Sequence, residues 1–213
     1  MDERATGIIL RVRPLTESSL ITHWLTPEFG RIATVAKGAR RPKSPFRGKL
    51  DLYFSAAFSL RRSRRSDLHN LREATLLDTR PDLRRELARL NQAAYAVRLI
   101  ELATETETPI PEIHALFDAF LHRLQAASPS PVPVLAFELG ILAEVGLQPD
   151  PAAARLSPKA RRIVEKLQAI DWKGPGGREL SDEELAEVSG FLKHFIANHL
   201  ERIPKGRDEA LLC

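Results

Sequence analysis

Apolar positions recur with period 2 through the first third of this 213-residue chain and with period 3.6 beyond it, and the change falls at Pro81. From Thr6 the residues alternate as far as Pro14, with Ile8, Leu10 and Val12 on one side and Ile9, Arg11 and Arg13 on the other. That predicts a half-buried strand with its arginines outward. Residues 20–25 and 32–35 give two further β-type runs, joined through the turn Thr26-Pro-Glu-Phe-Gly30 into a hairpin. Leu52, Phe54, Ala56, Phe58 and Leu60 alternate most regularly of all, opposite Tyr53, Ser55, Ala57, Ser59 and Arg61. Residues 67–77 supply a fifth, less regular strand. Five short strands with no helical crossover between them predict a small antiparallel barrel of the oligonucleotide-binding (OB) type over residues 1–80.

Residues 81–213 read as an all-α helical bundle, which makes the whole an α+β protein. Leu83, Leu87, Leu90, Ala94 and Val97 stripe a first helix that starts at Pro81 and runs to about Thr104. Ile113, Leu116, Phe117, Phe120, Leu121 and Leu124 stripe a second, bounded by proline-rich breaks on either side. Residues 134–145 are apolar almost all round, so this helix should be the central, most buried one. Ser157 and Pro158 open a fourth helix striped by Ile163, Val164, Leu167 and Ile170, which ends before a glycine-rich turn at residues 173–177. Ser181 and Glu184 form a capping box for the last, striped by Leu185, Val188, Leu192, Phe195 and Ile196. The bundle therefore has about five helices.

Charge follows the same division. Residues 1–80 hold 16 Lys/Arg against 8 Asp/Glu, and the remainder 16 against 20. A basic barrel suits a nucleic acid or another polyanion. Its charge is concentrated in two runs. Lys37, Arg40, Arg41, Lys43, Arg47 and Lys49 follow the third strand with no acidic residue between them, on a segment whose glycines and prolines predict a mobile loop. Arg61, Arg62, Arg64 and Arg65 form the second, in the turn after the fourth strand, and Arg11 and Arg13 add outward charge from the first. These are candidate phosphate donors for sequence-independent binding. Phe46, flanked by basic residues, is a candidate to stack on bases; Phe29 and Tyr53 are better read as packing.

Little else in the chain carries chemistry. There is no phosphate-binding glycine loop, no nucleophile elbow and no His-Glu-x-x-His, so catalysis is not expected. His114, Asp118 and His122 share a helix at intervals of four but lie off its apolar stripe, so they face water and no metal or cofactor is expected. The single cysteine, Cys213, fits a reducing compartment. With no signal segment or membrane span in view, a cytoplasmic, nucleoid-associated protein is expected.

The ordered set of Gly7-Ile-Ile-Leu-Arg-Val-Arg-Pro-Leu-Thr-Glu-Ser-Ser-Leu20, Thr26-Pro-Glu-Phe-Gly-Arg31, Val35-Ala-Lys-Gly-Ala-Arg40 and Gly48-Lys-Leu50 resembles the N-terminal domain of bacterial RecO recombination mediators. The likeness continues through Phe137-Glu-Leu-Gly-Ile-Leu-Ala-Glu-Val-Gly-Leu-Gln-Pro149. The resemblance implies an OB barrel followed by helices and a non-enzymatic role in DNA repair. It further implies binding to single- and double-stranded DNA, strand annealing, the partner RecR, docking of the C-terminal tail of single-stranded-DNA-binding protein (SSB), and loading of RecA. On it, Lys37, Arg40 and Arg41 are the DNA-contacting candidates. Many relatives carry a four-cysteine zinc element where this chain has Asp150-Pro-Ala-Ala-Ala-Arg-Leu156, so that element is absent. Two other readings of the basic barrel stand beside this one: an adaptor that docks acidic protein tails, and an RNA-binding OB protein.

Overall fold

A computed structural model describes residues 2–152, 154–174 and 179–212. Cys213 and most of the glycine-rich turn read at 173–177 lie outside them. The chain divides into two compact units, residues 1–80 with 105–115 and residues 81–104 with 116–213.

The first unit is a closed barrel of β1 (Glu3–Pro14), β2 (Leu20–Thr26), β3 (Gly30–Ala36), β4 (Ser55–Arg61) and β5 (Leu68–Asp78), in the order β1-β2-β3-β5-β4. Four pairings are antiparallel; β3 and β5 run parallel over Ala33–Leu68, Thr34–His69 and Val35–Asn70. All five strands thus match the sequence reading, in an OB arrangement. Trp24 and Phe58 stack at 4.2 Å in the middle of the barrel. The buried indole N–H of Trp24 donates to Thr34 Oγ1 at 2.9 Å, so its polar atom costs nothing to bury.

Two details of the strand reading change. In β1 the register with β2 slips between Ile9 and Arg11, a bulge that absorbs Leu10. The slip lets Ile9 and Val12 both face the barrel core, although alternation puts them on opposite sides, while Arg13 still ends exposed. At β4 the alternation is regular from Leu52, yet the strand starts at Ser55. Tyr53 adopts a φ of 65°, which turns the chain and leaves Leu52 exposed.

The second unit contains a 3₁₀ turn (Pro81–Arg84), α1 (Leu87–Ala103), most of α2 (Pro111–Ala126), α3 (Val132–Glu144), α4 (Pro158–Gln168), α5 (Asp182–His199) and α6 (Arg207–Leu211). The first helical stripe is out of phase with the fold. Pro81 begins the 3₁₀ turn, Glu86 is extended, and α1 restarts at Leu87, which is 73% exposed. Of the predicted stripe Leu83 and Val97 are buried, and within α1 Ala93, Tyr95, Ala96, Leu99 and Ile100 are buried beside Val97. Helix α3 is central as expected, with ten of its residues buried. Its one buried charge, Glu138, is fully enclosed and accepts from Arg207 of α6 and from the Tyr95 hydroxyl. Burial, with the carboxylate beside it, pushes the Tyr95 hydroxyl well above its ordinary pKa. The capping box at Ser181 and Glu184 and the Ser157 cap on α4 are both made. The connector at the zinc-element position is tied to α4: Gln168 donates to the Pro149 carbonyl at 2.8 Å, and Arg161 to those of Ala154 and Leu156 at 3.2 Å.

Candidate nucleic-acid interface

The segment after β3 is a chain of turns rather than a mobile loop. Successive N–H groups of Ala39, Arg41, Ser44, Arg47 and Lys49 donate to carbonyls three residues back, at 3.0–3.3 Å. Two apolar side chains pin it. Ala39 and Phe46 are 8% and 6% exposed and belong to the barrel core, so Phe46 anchors the loop and offers no open ring face for a base. Around these anchors Lys37, Arg40, Arg41, Lys43 and Arg47 are exposed, and Lys49 is half-buried. Among the described residues none of the six makes an ion pair. Arg40 also clamps the β1–β2 connection: its N–H donates to the Ser18 carbonyl at 3.0 Å and its guanidinium to that of Thr16 at 3.2 Å. β1 ends at Pro14, paired with Leu20, which pairs in turn with Ala36; Arg13 therefore lies at the same end of the barrel as the loop.

The second basic turn lies elsewhere. Arg62 sits 4.9 Å over the Phe29 ring, just before Gly30 opens β3, whereas the first loop leaves from Ala36. The seven residues of β3 keep the two ends roughly 20 Å apart. Carboxylates answer the charge here. Arg61 donates to Asp2 at 2.9 Å, and Arg62 to Glu3 at 3.1 Å and Glu107 at 2.9 Å. Hydrogen bonding to Arg61 holds the Asp2 carboxyl below its usual pKa, and the Glu3 hydrogen bond holds Arg62 above its own against partial burial. Glu107 comes from the segment 105–115, which returns to the barrel: its N–H donates to the Arg31 carbonyl, and its carboxylate lies 3.1 Å from His69 Nε2. Gly30 is required there, because a Cβ on it would meet the Thr108 carbonyl oxygen at 1.8 Å. Arg64 and Arg65 stand exposed at the tip.

Apart from the buried Phe46, the twelve cations read as a single interface therefore fall into two sets. Arg13, Lys37, Arg40, Arg41, Lys43, Arg47 and Lys49 gather at one end of the barrel around a rigid loop, and Arg11 is half-buried on β1 nearby. Arg61, Arg62, Arg64 and Arg65 gather at the other, where two of the four are ion-paired. No sequence signal could reveal that Glu107 answers Arg62, since 45 residues separate them. His114 and Asp118 are half-buried and His122 exposed, with His122 Nε2 3.6 Å from Asp118. Among the described residues there is no cluster of three or more metal-ligating side chains, and no helix is long and apolar enough to cross a membrane.

Comparison with known proteins settles what kind of chain carries this barrel. The description "Recombination protein O N terminal" matches residues 1–80 and "Recombination protein O C terminal" matches residues 84–151. The chain belongs to the RecO family. It is 34% identical over 146 residues to the DNA repair protein RecO of Anaeromyxobacter dehalogenans strain 2CP-C, covering 68% of this chain and 58% of that protein. To the DNA repair protein RecO of Myxococcus xanthus strain DK1622 it is 29% identical over 220 residues, covering 90% of each. A further relative, the DNA repair protein RecO of Nostoc punctiforme, is 34% identical over 125 residues, 59% of this chain and 41% of that one. The chain thus spans a little over half the length of the first of these relatives. Each of these three relatives is named a DNA repair protein.

This RecO chain has a second notable surface, in its helical unit. Val132, Ile163, Leu167, Ile170 and Leu180 line a groove of about 570 Å³, with the cationic side chains of Lys159, Arg162 and Lys166 along it. All three cations lie on α4, on the side of the helix next to its apolar stripe. Lys159 also reaches the Glu184 carboxylate at 2.9 Å.

Proposed function

We propose that this protein is a non-enzymatic recombination mediator that binds single- and double-stranded DNA through the loop after β3, anneals complementary strands and helps load RecA on SSB-coated DNA. One observation carries the DNA-binding part. Six cations stand on a loop held by its own turns and by Ala39 and Phe46, and no carboxylate among the described residues pairs with them. Such a surface releases counterions when phosphates replace them, without reading sequence. The loop's rigidity spares the ordering cost that a flexible basic segment would incur on binding.

Family membership supports the repair setting and, by extension, the partners RecR, RecA and the SSB tail. An acidic tail with apolar residues would find matching chemistry in the α4 groove, where Lys159, Arg162 and Lys166 flank an apolar floor. Strand annealing on SSB-coated oligonucleotides tests the reading, with and without joint replacement of Lys37, Arg40 and Arg41 by Ala. The wild type should anneal, the triple variant should lose most of that activity, and equal annealing by both would sink the proposal. Binding confined to acidic peptides, or to structured RNA over single-stranded DNA, would favour the adaptor or RNA-binding readings instead.

A further inference from the structure

The burial of Phe46 leaves the basic loop without an aromatic face for bases, and the neighbouring β1–β2 connection supplies a different apolar group. Leu15 is 46% exposed at the start of that connection. A single exposed leucine is ordinary surface. This one sits on a turn that is fixed from both sides. The N–H groups of Leu15 and Thr16 donate to the Ser19 carbonyl at 3.0 and 3.4 Å, and those of Ser18 and Ser19 to Thr16 Oγ1 at 3.3 and 3.1 Å. Arg40 then fastens the turn to the cationic loop through the carbonyls of Ser18 and Thr16. Leu15 is thereby held rigidly between exposed Arg13 on one side and the Arg40 loop on the other.

We infer that Leu15 is a base-contacting residue, an apolar platform against which unpaired bases pack while their phosphates lie on the loop. The inference rests on the DNA-binding reading above and adds the group that distinguishes a strand with open bases from a bare polyphosphate chain. The physical reason is simple. A base that leaves water for the leucine side chain gains dispersion contacts and apolar burial, and neither depends on salt. Apolar side chains, leucine among them, serve this way where proteins meet unstacked bases. Glu17, the only carboxylate on the same turn, bears on phosphate instead and should oppose binding whatever the bases are.

The test compares an ordinary single-stranded oligonucleotide with an abasic one of equal length, bound to the full chain across a salt series. Leu15→Ser should weaken the ordinary strand about five-fold, leave the abasic strand unchanged and keep the salt slope the same. Leu15→Phe should restore or exceed wild-type binding of the ordinary strand. Glu17→Gln should tighten both strands alike. Unchanged affinity of Leu15→Ser for the ordinary strand, or equal loss on both strands, would overturn the inference while leaving the DNA-binding reading intact. A wild-type chain that binds neither strand in a salt-dependent way would remove both. Because Leu15 is exposed, the thermal midpoint of Leu15→Ser should match the wild type, which separates a lost contact from a lost fold.

Discussion

The two arginine-rich stretches of the barrel look alike as strings of letters and differ as electrostatic objects. The loop after β3 is backed by hydrophobic contacts, so its positive charges face solvent uncompensated. The turn after β4 is backed by acids: Asp2, Glu3 and Glu107 hold Arg61 and Arg62. A count of charges along the sequence gives the two similar weight. Their surroundings do not, because a guanidinium already satisfied by a carboxylate must lose that partner before it gains a phosphate.

The largest expected effect comes from removing the hydrophobic backing of the first region. Phe46→Ala takes a buried aromatic out of the barrel core and should cost about 3–5 kcal/mol of stability in denaturant unfolding. It should also free the loop, so its amides should lose hydrogen-exchange protection; a loop that stays protected would mean that its turns alone suffice. Next comes the triple replacement of Lys37, Arg40 and Arg41. If about four to six phosphates are engaged, the wild-type plot of log K against log salt falls with a slope of roughly −3 to −5, and the variant should flatten it by up to about three units. Smaller again is Arg62→Ala, which loses half-exposed ion pairs and a ring contact together worth about 1 kcal/mol. Its salt slope should match the wild type; a slope flattened by a full unit would show that the second turn engages phosphate as directly as the first.

The smallest effect concerns pH. The folded Asp2 carboxyl titrates below its ordinary value of 3.8, through its hydrogen bond from Arg61. Its stabilising contribution is therefore present above that value and lost as pH falls through the folded midpoint. An NMR titration should place the Asp2 midpoint below 3.8 in the wild type and move it upward in Arg61→Ala. The free cations of the first region have no such partner to lose at low pH.

All five strands, the five longer helices and the caps of α4 and α5 were legible because each rests on local chemistry: alternation, stripes, prolines and a capping box. The phase of α1 was not, because a 3₁₀ turn and an extended Glu86 interrupt a stripe that continues on paper. Nor was the β1 bulge, which lets three successive apolar residues, Ile8, Ile9 and Leu10, all be buried. In the interface, residue types were legible but their environments were not. The burial of Phe46 and the pairing of Arg62 with Glu107 are contacts made across the fold, and a charge run carries no sign of what will lie opposite it. The short helix α6 left no stripe to read, because five residues are too few to show a period.

That helix carries a consequence for how the chain is made. Arg207 is the guanidinium partner of Glu138, and 69 positions separate them. During synthesis from the N-terminus the carboxylate of α3 is built long before its counter-charge exists. A lone carboxylate resists burial in an apolar interior, so α3 keeps a hydrated face until Arg207 arrives. The central helix of the second unit is thus among its last to be sealed, and the barrel has the whole of that interval in which to fold first.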